Sequence, residues 1–320
     1  MKLLDLYYLV KPAIPHSLRL KLRGQLAARK RRRCASIWPI NESAAQRPAW
    51  FQGWPEGKSF AFVLTHDVEG TKGMERSRTL AELEMELGFR SSFNFVPEGE
   101  YDTPEPLRNF LWENGFEVGV HDLHHDGTLY RSHAEFSAAA KRINRHLERW
   151  NAVGFRSAFM FHNLDWLKEL NVLYDASTFD TDPFEPQSDG ANTIFPFWVE
   201  RGDGTGYVEL PYSLPQDSTL YLVLGEKTND IWTRKLEWVA KNGGLALVNV
   251  HPDYIAFGRH KGATEFPVSF YQEFLSHVAR EYGDSAWHVL PREVAEFTKR
   301  SMFSGERSSA TADALVRGVV

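Results

Sequence analysis

Reactive side chains crowd into three short clusters of this sequence: Thr65-His66-Asp67-Val68-Glu69, His121-Asp122-Leu123-His124-His125-Asp126 and His251-Pro252-Asp253. His121 and His125 are four apart, a spacing that puts both imidazoles on one face of a helical turn. Two imidazoles and one carboxylate make a three-point metal set that leaves positions open for water and substrate. An ion so held acidifies its water and polarises a carbonyl. Asp67 and Glu69 are two apart, so on an extended strand they point the same way. One can ligate the metal while the other takes a proton from the water. His251 suits the general acid that protonates a departing amine. Each residue also has an ordinary structural reading: a turn cap for Asp67, a surface charge for Glu69, a hydrogen-bonded strand end for His251. What favours chemistry is that all three clusters share one kind of position.

That position is the end of a strand. Dense apolar runs at Phe60 to Leu64, Phe116 to Val120 and Leu245 to Val250 each lead directly into one cluster. Further strands fit Ser91 to Val96, Gly154 to Phe159, Val172 to Asp175 and Tyr207 to Leu210. Helical spacing marks Glu75 to Leu87, a segment from Thr103-Pro104 to Asn114-Gly115, Ser132 to Trp150, and Asn229 to Lys241 before Gly243. Strand–helix alternation of this kind predicts a mostly parallel α/β sheet or barrel. Such folds build their sites at the carboxyl ends of the strands. His66, His124 and Asp126 are further polar groups at the same mouth, as partners of the imidazoles or as plain loop residues. The segment Phe195-Pro196-Phe197-Trp198 reads as core packing or as a sugar-stacking platform. The acidic loop Asp180 to Pro186 reads as a mouth-lining segment or an ordinary loop.

With 320 residues and 42% apolar side chains the chain can bury a sizeable core. Cys34 is its only cysteine, which excludes an internal disulfide and thiolate metal clusters. The net charge of −5 is unevenly spread. Residues 1–34 hold ten Lys or Arg against Asp5 alone, leaving 27 basic against 41 acidic side chains, or −14, in the rest. An acidic body argues against nucleic acid as partner. Residues 1–57 read as a basic leader and loop, 58–300 as the catalytic body and 301–320 as a flexible tail. The leader has neither a bilayer-spanning run nor the pattern of a secretion signal, which predicts a cytoplasmic protein. Leu3, Leu4, Leu6, Tyr7, Tyr8 and Leu9 precede the basic run, a combination that suits peripheral contact of residues 1–34 with the inner face of a membrane. The plain alternative is a basic arm packed on its own body.

The three clusters, together with Gly154-Phe155-Arg156 and Asn249-Val250-His251, resemble the ordered motifs of the polysaccharide deacetylase superfamily over roughly residues 58–295. The resemblance implies a distorted (β/α) barrel with about seven parallel strands and a divalent metal, zinc before others. It makes Asp67 the catalytic base, Glu69, His121 and His125 the metal ligands, and His251 the general acid. Arg156 would hold the base carboxylate. Tyr212 would offer its backbone N–H to the oxyanion, and Asp175 would tune the acid histidine. The implied activity is deacetylation of an N-acetylated carbohydrate. Two departures stand out: Val68 occupies the place of the usual second Asp, and Ser157-Ala158-Phe159 follows Arg156 where a proline is common. The first keeps open an amidohydrolase acting on a small non-sugar C–N bond, without metal in one version. A non-catalytic carbohydrate-binding relative is the third reading.

Overall fold

The strand that carries Asp67, β1 (Phe60–Val68), is buried along its whole length in the computed structural model, which describes residues 16–258 and 264–316. A strand buried on both faces needs partners on both edges, and β1 has them. β8 (Leu245–Val250) runs parallel along one edge, with Thr65 opposite Asn249. Along the other lie β11 (Ala286–His288) and then β2 (Ser92–Phe95), which sets Asp67 opposite Asn94. The sheet continues through β3 (Glu117–His121), β4 (Gly154–Arg156), β5 (Tyr174–Asp175) and β7 (Gly206–Glu209). All these pairs are parallel; only β6 (Phe197–Glu200) joins antiparallel, as a hairpin with β7. The sheet is thus curled and mostly parallel, in keeping with the expected distorted (β/α) barrel, with eight parallel strands among the described residues in place of about seven. A separate two-stranded pair joins β9 (Ile255–Ala256) to β10 (Phe266–Pro267).

Flanking helices cover the outside: α2 (Thr71–Glu86), α3 (Glu105–Glu113), α4 (His133–Arg149), α5 (Asp230–Asn242), α6 (Val268–Tyr282) and α7 (Pro291–Val316). Their ends follow from local chemistry. The Ser132 side chain accepts the Glu135 N–H at the start of α4, and Gly243, at φ +71°, closes α5. Ahead of the sheet, α1 (His16–Arg33) leads into a loop whose Trp38, Phe51 and Trp54 are buried in the common core, so residues 38–54 are part of the body. The apolar stretch Leu3 to Leu9 lies outside the described residues. α7 runs to Val316, past Ser301 where composition predicts a tail.

Among the described residues no strand pair closes the curl. Beyond β7, the Ser213 and Leu214 N–H groups both reach the Leu247 carbonyl, at 3.3 and 3.2 Å, and Ser213 Oγ donates to Leu245 O at 2.6 Å. Irregular backbone forms this seam.

Strand alternation turns Thr65 and Asp67 inward and His66 outward. His66 Nε2 meets Glu84 Oε1 at 2.8 Å beneath α6, where Ser91 and Tyr271 also donate to Glu84. His66 is therefore a structural histidine. Burial pushes the Glu84 carboxyl up, but the His66 imidazole and these donors outweigh it and hold it below the usual range. A depressed folded pKa adds stability above the unfolded value and loses it as pH falls through the folded one. Glu84→Ala should cost about 3–5 kcal/mol near neutral pH in denaturant unfolding. The difference from the native chain should shrink on acidification.

Candidate active site

Five strand-end residues predicted to react line one cleft of about 430 Å³: Asp67, Glu69, His121, His125 and His251. Asp67 ends the inward row of β1, and its carboxylate is held from three sides. Asn94 Nδ2 donates to Oδ1 at 3.0 Å, Asn249 Nδ2 to Oδ2 at 2.7 Å, and Arg156 Nη1 lies 3.3 Å from Oδ1. Arg156 is itself fixed by Thr65 Oγ1, Asn249 Oδ1 and the Ala176 carbonyl, at 2.8, 2.7 and 2.7 Å. Burial pushes the Asp67 carboxyl up. The Arg156 guanidinium, followed by His121 and His251, overcomes this and holds it far below the carboxylate range, so it stays an anion and an acceptor.

Glu69 follows β1 directly. Its backbone N–H donates to Asp253 Oδ2 at 2.9 Å, while the N–H groups of Gly70 and Gly73 reach Asp253 Oδ1, each at 3.0 Å. The Asp253 carboxylate thus fastens the start of α2 to the segment after β8. The Tyr254 hydroxyl donates to Glu69 Oε2. Against the upward push of burial, His125, His251 and Tyr254 bring the Glu69 carboxyl down to about 2.

The expected helical turn over residues 121–125 is absent. β3 ends at His121, and the chain then turns through two left-handed residues, Asp122 at φ +57° and His125 at φ +55°. Such backbone is costly without glycine and persists where its surroundings enforce it. Here Asp122 does so, accepting from its neighbour Leu123 N at 2.6 Å while its own N–H bonds Arg156 O at 2.8 Å. The imidazoles of His121 and His125 still converge, with ring centroids 4.9 Å apart.

Glu69, His121 and His125 each offer a ligand atom, and these atoms lie within 4.8 Å of one another. The donor set fits a divalent cation. His121 Nδ1 spends its proton on the Arg156 carbonyl at 3.0 Å, which leaves Nε2 a lone pair. That Nε2 is buried with no hydrogen-bond partner among the described residues, and the buried Nε2 of His125 faces the Glu69 carboxylate, 3.3 Å from Oε1. Buried polar atoms rarely go unpaired, and two imidazole nitrogens beside a carboxylate are a donor set that a divalent cation would satisfy. Burial lowers the His121 pKa and keeps the ring neutral; for His125 the Glu69 carboxylate outweighs burial and raises it.

His251 Nε2 stands 3.7 Å from Glu69 Oε1. Its Nδ1 meets Asp217 Oδ1 at 2.6 Å, and its backbone N–H donates to Asp217 Oδ2 at 2.8 Å. Burial would lower its pKa, but Asp217 and then Glu69 and Asp67 raise it to about 10. The ring is therefore a protonated donor aimed at the cleft.

Two expectations are corrected. Asp175 does not tune the acid histidine: it is buried with Ser177, accepting from Oγ at 2.7 Å and N at 2.9 Å, and Asp217 takes the histidine. Asp175 sits at the end of β5, separated from β8 by β1, β2, β3 and β4 along the ladder, whereas Asp217 follows the seam beside β8. The Tyr212 N–H is already committed to the Thr178 carbonyl at 3.0 Å, so it has no proton to offer an oxyanion. Its side chain is buried too, with the hydroxyl 2.7 Å from Glu185 Oε1 and 3.0 Å from Asp182 Oδ2.

Sequence reasoning missed Asn94, Asn249, Thr65 and Tyr254 as site residues, along with Asp217 and Gln216. Period-two alternation could have found the first three, since each faces inward on a strand next to Asp67 or Arg156. Nothing in the sequence marks Asp217. Of the acidic loop, Phe184, Glu185 and Pro186 line the cleft, and Gln216 Nε2 fixes Glu185 at 2.8 Å. In the aromatic segment Phe195 is core, and Trp198 packs edge-on to Phe303 away from the cleft. His124 bonds the Glu98 carbonyl at 2.8 Å and Asp126 caps Thr128 at 2.9 Å, so both are loop residues.

Gly119 shows how tightly Asp67 is framed. A Cβ there would fall 2.1 Å from Asn94 Oδ1 and 3.4 Å from the Gly154 carbonyl. Gly119→Ala should push Asn94 off Asp67, costing about 1–3 kcal/mol of stability by overpacking. Turnover should fall roughly 10–100-fold, the usual cost of losing a supporting partner of a site residue. Melting curves and initial rates on one preparation would separate the two effects.

No protein-family description matches the chain, and no curated protein matches it. Solved structures do. A candidate polysaccharide deacetylase from Mycobacterium smegmatis aligns over 80% of this chain and 96% of its own, at 20% identity and a TM-score of 0.61. The allantoinase PuuE aligns over 81% and 94%, at 14% identity and a TM-score of 0.58. A candidate polysaccharide deacetylase from Pseudomonas aeruginosa PAO1 aligns over 76% and 92%, at 15% identity and a TM-score of 0.55. What these likenesses establish is the fold: this chain has the (β/α) barrel of the polysaccharide deacetylases.

Proposed function

We propose that this protein is a metal-dependent hydrolase of the polysaccharide deacetylase type, removing an acetyl group from the nitrogen of a carbohydrate. One observation carries the reading: the buried imidazole nitrogens of His121, which lacks a partner, and of His125 converge with the Glu69 carboxylate in the cleft that also holds Asp67 and His251. A divalent ion held by Glu69, His121 and His125, zinc first for a mixed nitrogen and oxygen set, would polarise the acyl carbonyl and acidify a water. Asp67 accepts the proton of the attacking water while Asn94, Asn249 and Arg156 keep its carboxylate aimed. His251 gives the Nε2 proton to the leaving nitrogen as the C–N bond breaks, and Asp217 holds the ring in register. The products are a carboxylate and a free amine.

The test is acetate release from N-acetylated oligosaccharides by the zinc-supplemented protein, beside an allantoin control. Acetate released in proportion to enzyme supports the reading and excludes the purely carbohydrate-binding alternative. A second reading, hydrolysis of a small non-sugar C–N bond, draws on the allantoinase of like fold and on Val68 in the second acid position. Hydrolysis of allantoin with no acetate from any glycan would establish that second reading instead.

A further inference from the structure

Helix α1 carries charge that the cleft does not use. From His16 to Ile40 the sequence holds eight Lys or Arg and no Asp or Glu. Helical spacing divides the part with described side chains into two faces. Ala27, Arg31 and Cys34 face the body: Ala27 is buried, Arg31 pairs with Glu226, and Cys34 packs on the core. Leu26, Arg29, Arg32 and Arg33 fall on the opposite face and are exposed, Leu26 at 62%. Ile37, just beyond the helix, is exposed at 39%. Large apolar side chains this open are few in the described chain, and two of the three flank this arginine cluster.

The helix also adjoins the cleft. It packs on the π-helical turn Ser218–Leu224, whose Ser218, Thr219, Leu222 and Val223 line the cleft, and Lys30 Nζ lies 5.9 Å from the ring of Phe184, another lining residue. We propose that the outward face of α1 docks the protein on an anionic lipid bilayer, with Arg29, Arg32 and Arg33 on the headgroups and Leu26 and Ile37 in the interface. Charge complementarity selects this partner. The helix presents only positive charge, whereas the acidic remainder of the chain is repelled by such a surface, so attraction is confined to one face. Docked this way, the cleft opens beside the surface, and the accessible substrates are those held at a membrane. No helix of the described chain is long and apolar enough to cross a membrane, so the attachment is peripheral.

The experiment is cosedimentation of the full chain with vesicles of phosphatidylcholine containing 30% phosphatidylglycerol, against pure phosphatidylcholine, at low and high salt. The expected result is binding to the anionic vesicles only, weakened by salt. A triple Arg29→Gln, Arg32→Gln, Arg33→Gln variant should bind roughly a hundredfold more weakly, at about fivefold per lost cation. These side chains are exposed, so the variant should melt like the parent. Equal binding by parent and variant would overturn the proposal, as would equal binding to both vesicle types or no vesicle binding. Acetate release is not read in this assay, so its outcome is separate from that of the hydrolase reading.

Discussion

Replacing His121 and His125 together by alanine should take the metal content of the purified protein from near one divalent ion per chain to near none. Glu69 alone remains of the three ligand residues, and one carboxylate does not retain a cation against water. Because the ion would acidify a bound water to near neutrality, turnover should fall by at least about 10⁴-fold. The stability of the metal-free chain should move the other way. At His121 a buried nitrogen without a partner costs on the order of 1–3 kcal/mol, and alanine removes that burden while leaving a small cavity. Added zinc at a hundred times its dissociation constant should stabilise the native chain by about 2.7 kcal/mol and leave the variant unmoved. Elemental analysis and paired melting curves read all of this. A wild-type chain that takes up no ion from zinc solution would end the metal mechanism.

The second large effect is expected at a residue no motif pointed to. Asp217→Asn keeps the size of the side chain but sets an amide against two donors, the Nδ1–H and the backbone N–H of His251. One of the two loses its acceptor, and the ring loses the carboxylate that keeps it charged. Turnover should drop about 10²–10⁴-fold, the range for a mis-set acid–base histidine. Metal content should not change, because Asp217 touches none of the three ligands. The pH profile gives a further sign. The acid form of His251, raised to about 10, serves below that pH and is lost above it. Without Asp217 burial dominates, the pKa falls, and the alkaline limb of the rate profile should move to lower pH. A variant with reduced rate but an unmoved limb would mean Asp217 acts only by packing.

The contrast between these residues shows what the sequence exposes. Asp67, Glu69, His121, His125 and His251 were legible because each closes a dense apolar strand, and strand ends in parallel sheets face one mouth. β8 was read with its observed ends, and β1, β2, β3, α4 and α5 to within a few residues, since their periodicity is strong. Asp217 was hidden because it lies in a non-periodic stretch, between the seam and a π-helical turn that no short-range pattern announces. Tyr212 and Asp175 went wrong for a related reason. Position along the chain does not reveal whether an N–H is already spent on Thr178, or which of two carboxylates the curl brings against β8. The turn between His121 and His125 was misread as helical because spacing by four is common to a helix and to a chance reversal through left-handed residues.

The seam gives the two halves of the cleft unequal resistance to breathing. β1 is clasped on both edges, so Asp67 and Glu69 ride on a strand whose opening must break two ladders. Asp217 and the turn that supports α1 hang from the chain beyond the seam, where a few hydrogen bonds of Ser213 and Leu214 stand in for a strand ladder. A local excursion there would free the partner of His251 and loosen the basic helix together, with the cation cradle undisturbed. Asp217 and the basic helix thus hang on one segment, and Asp67, Glu69 and His251 on the laddered strands β1 and β8.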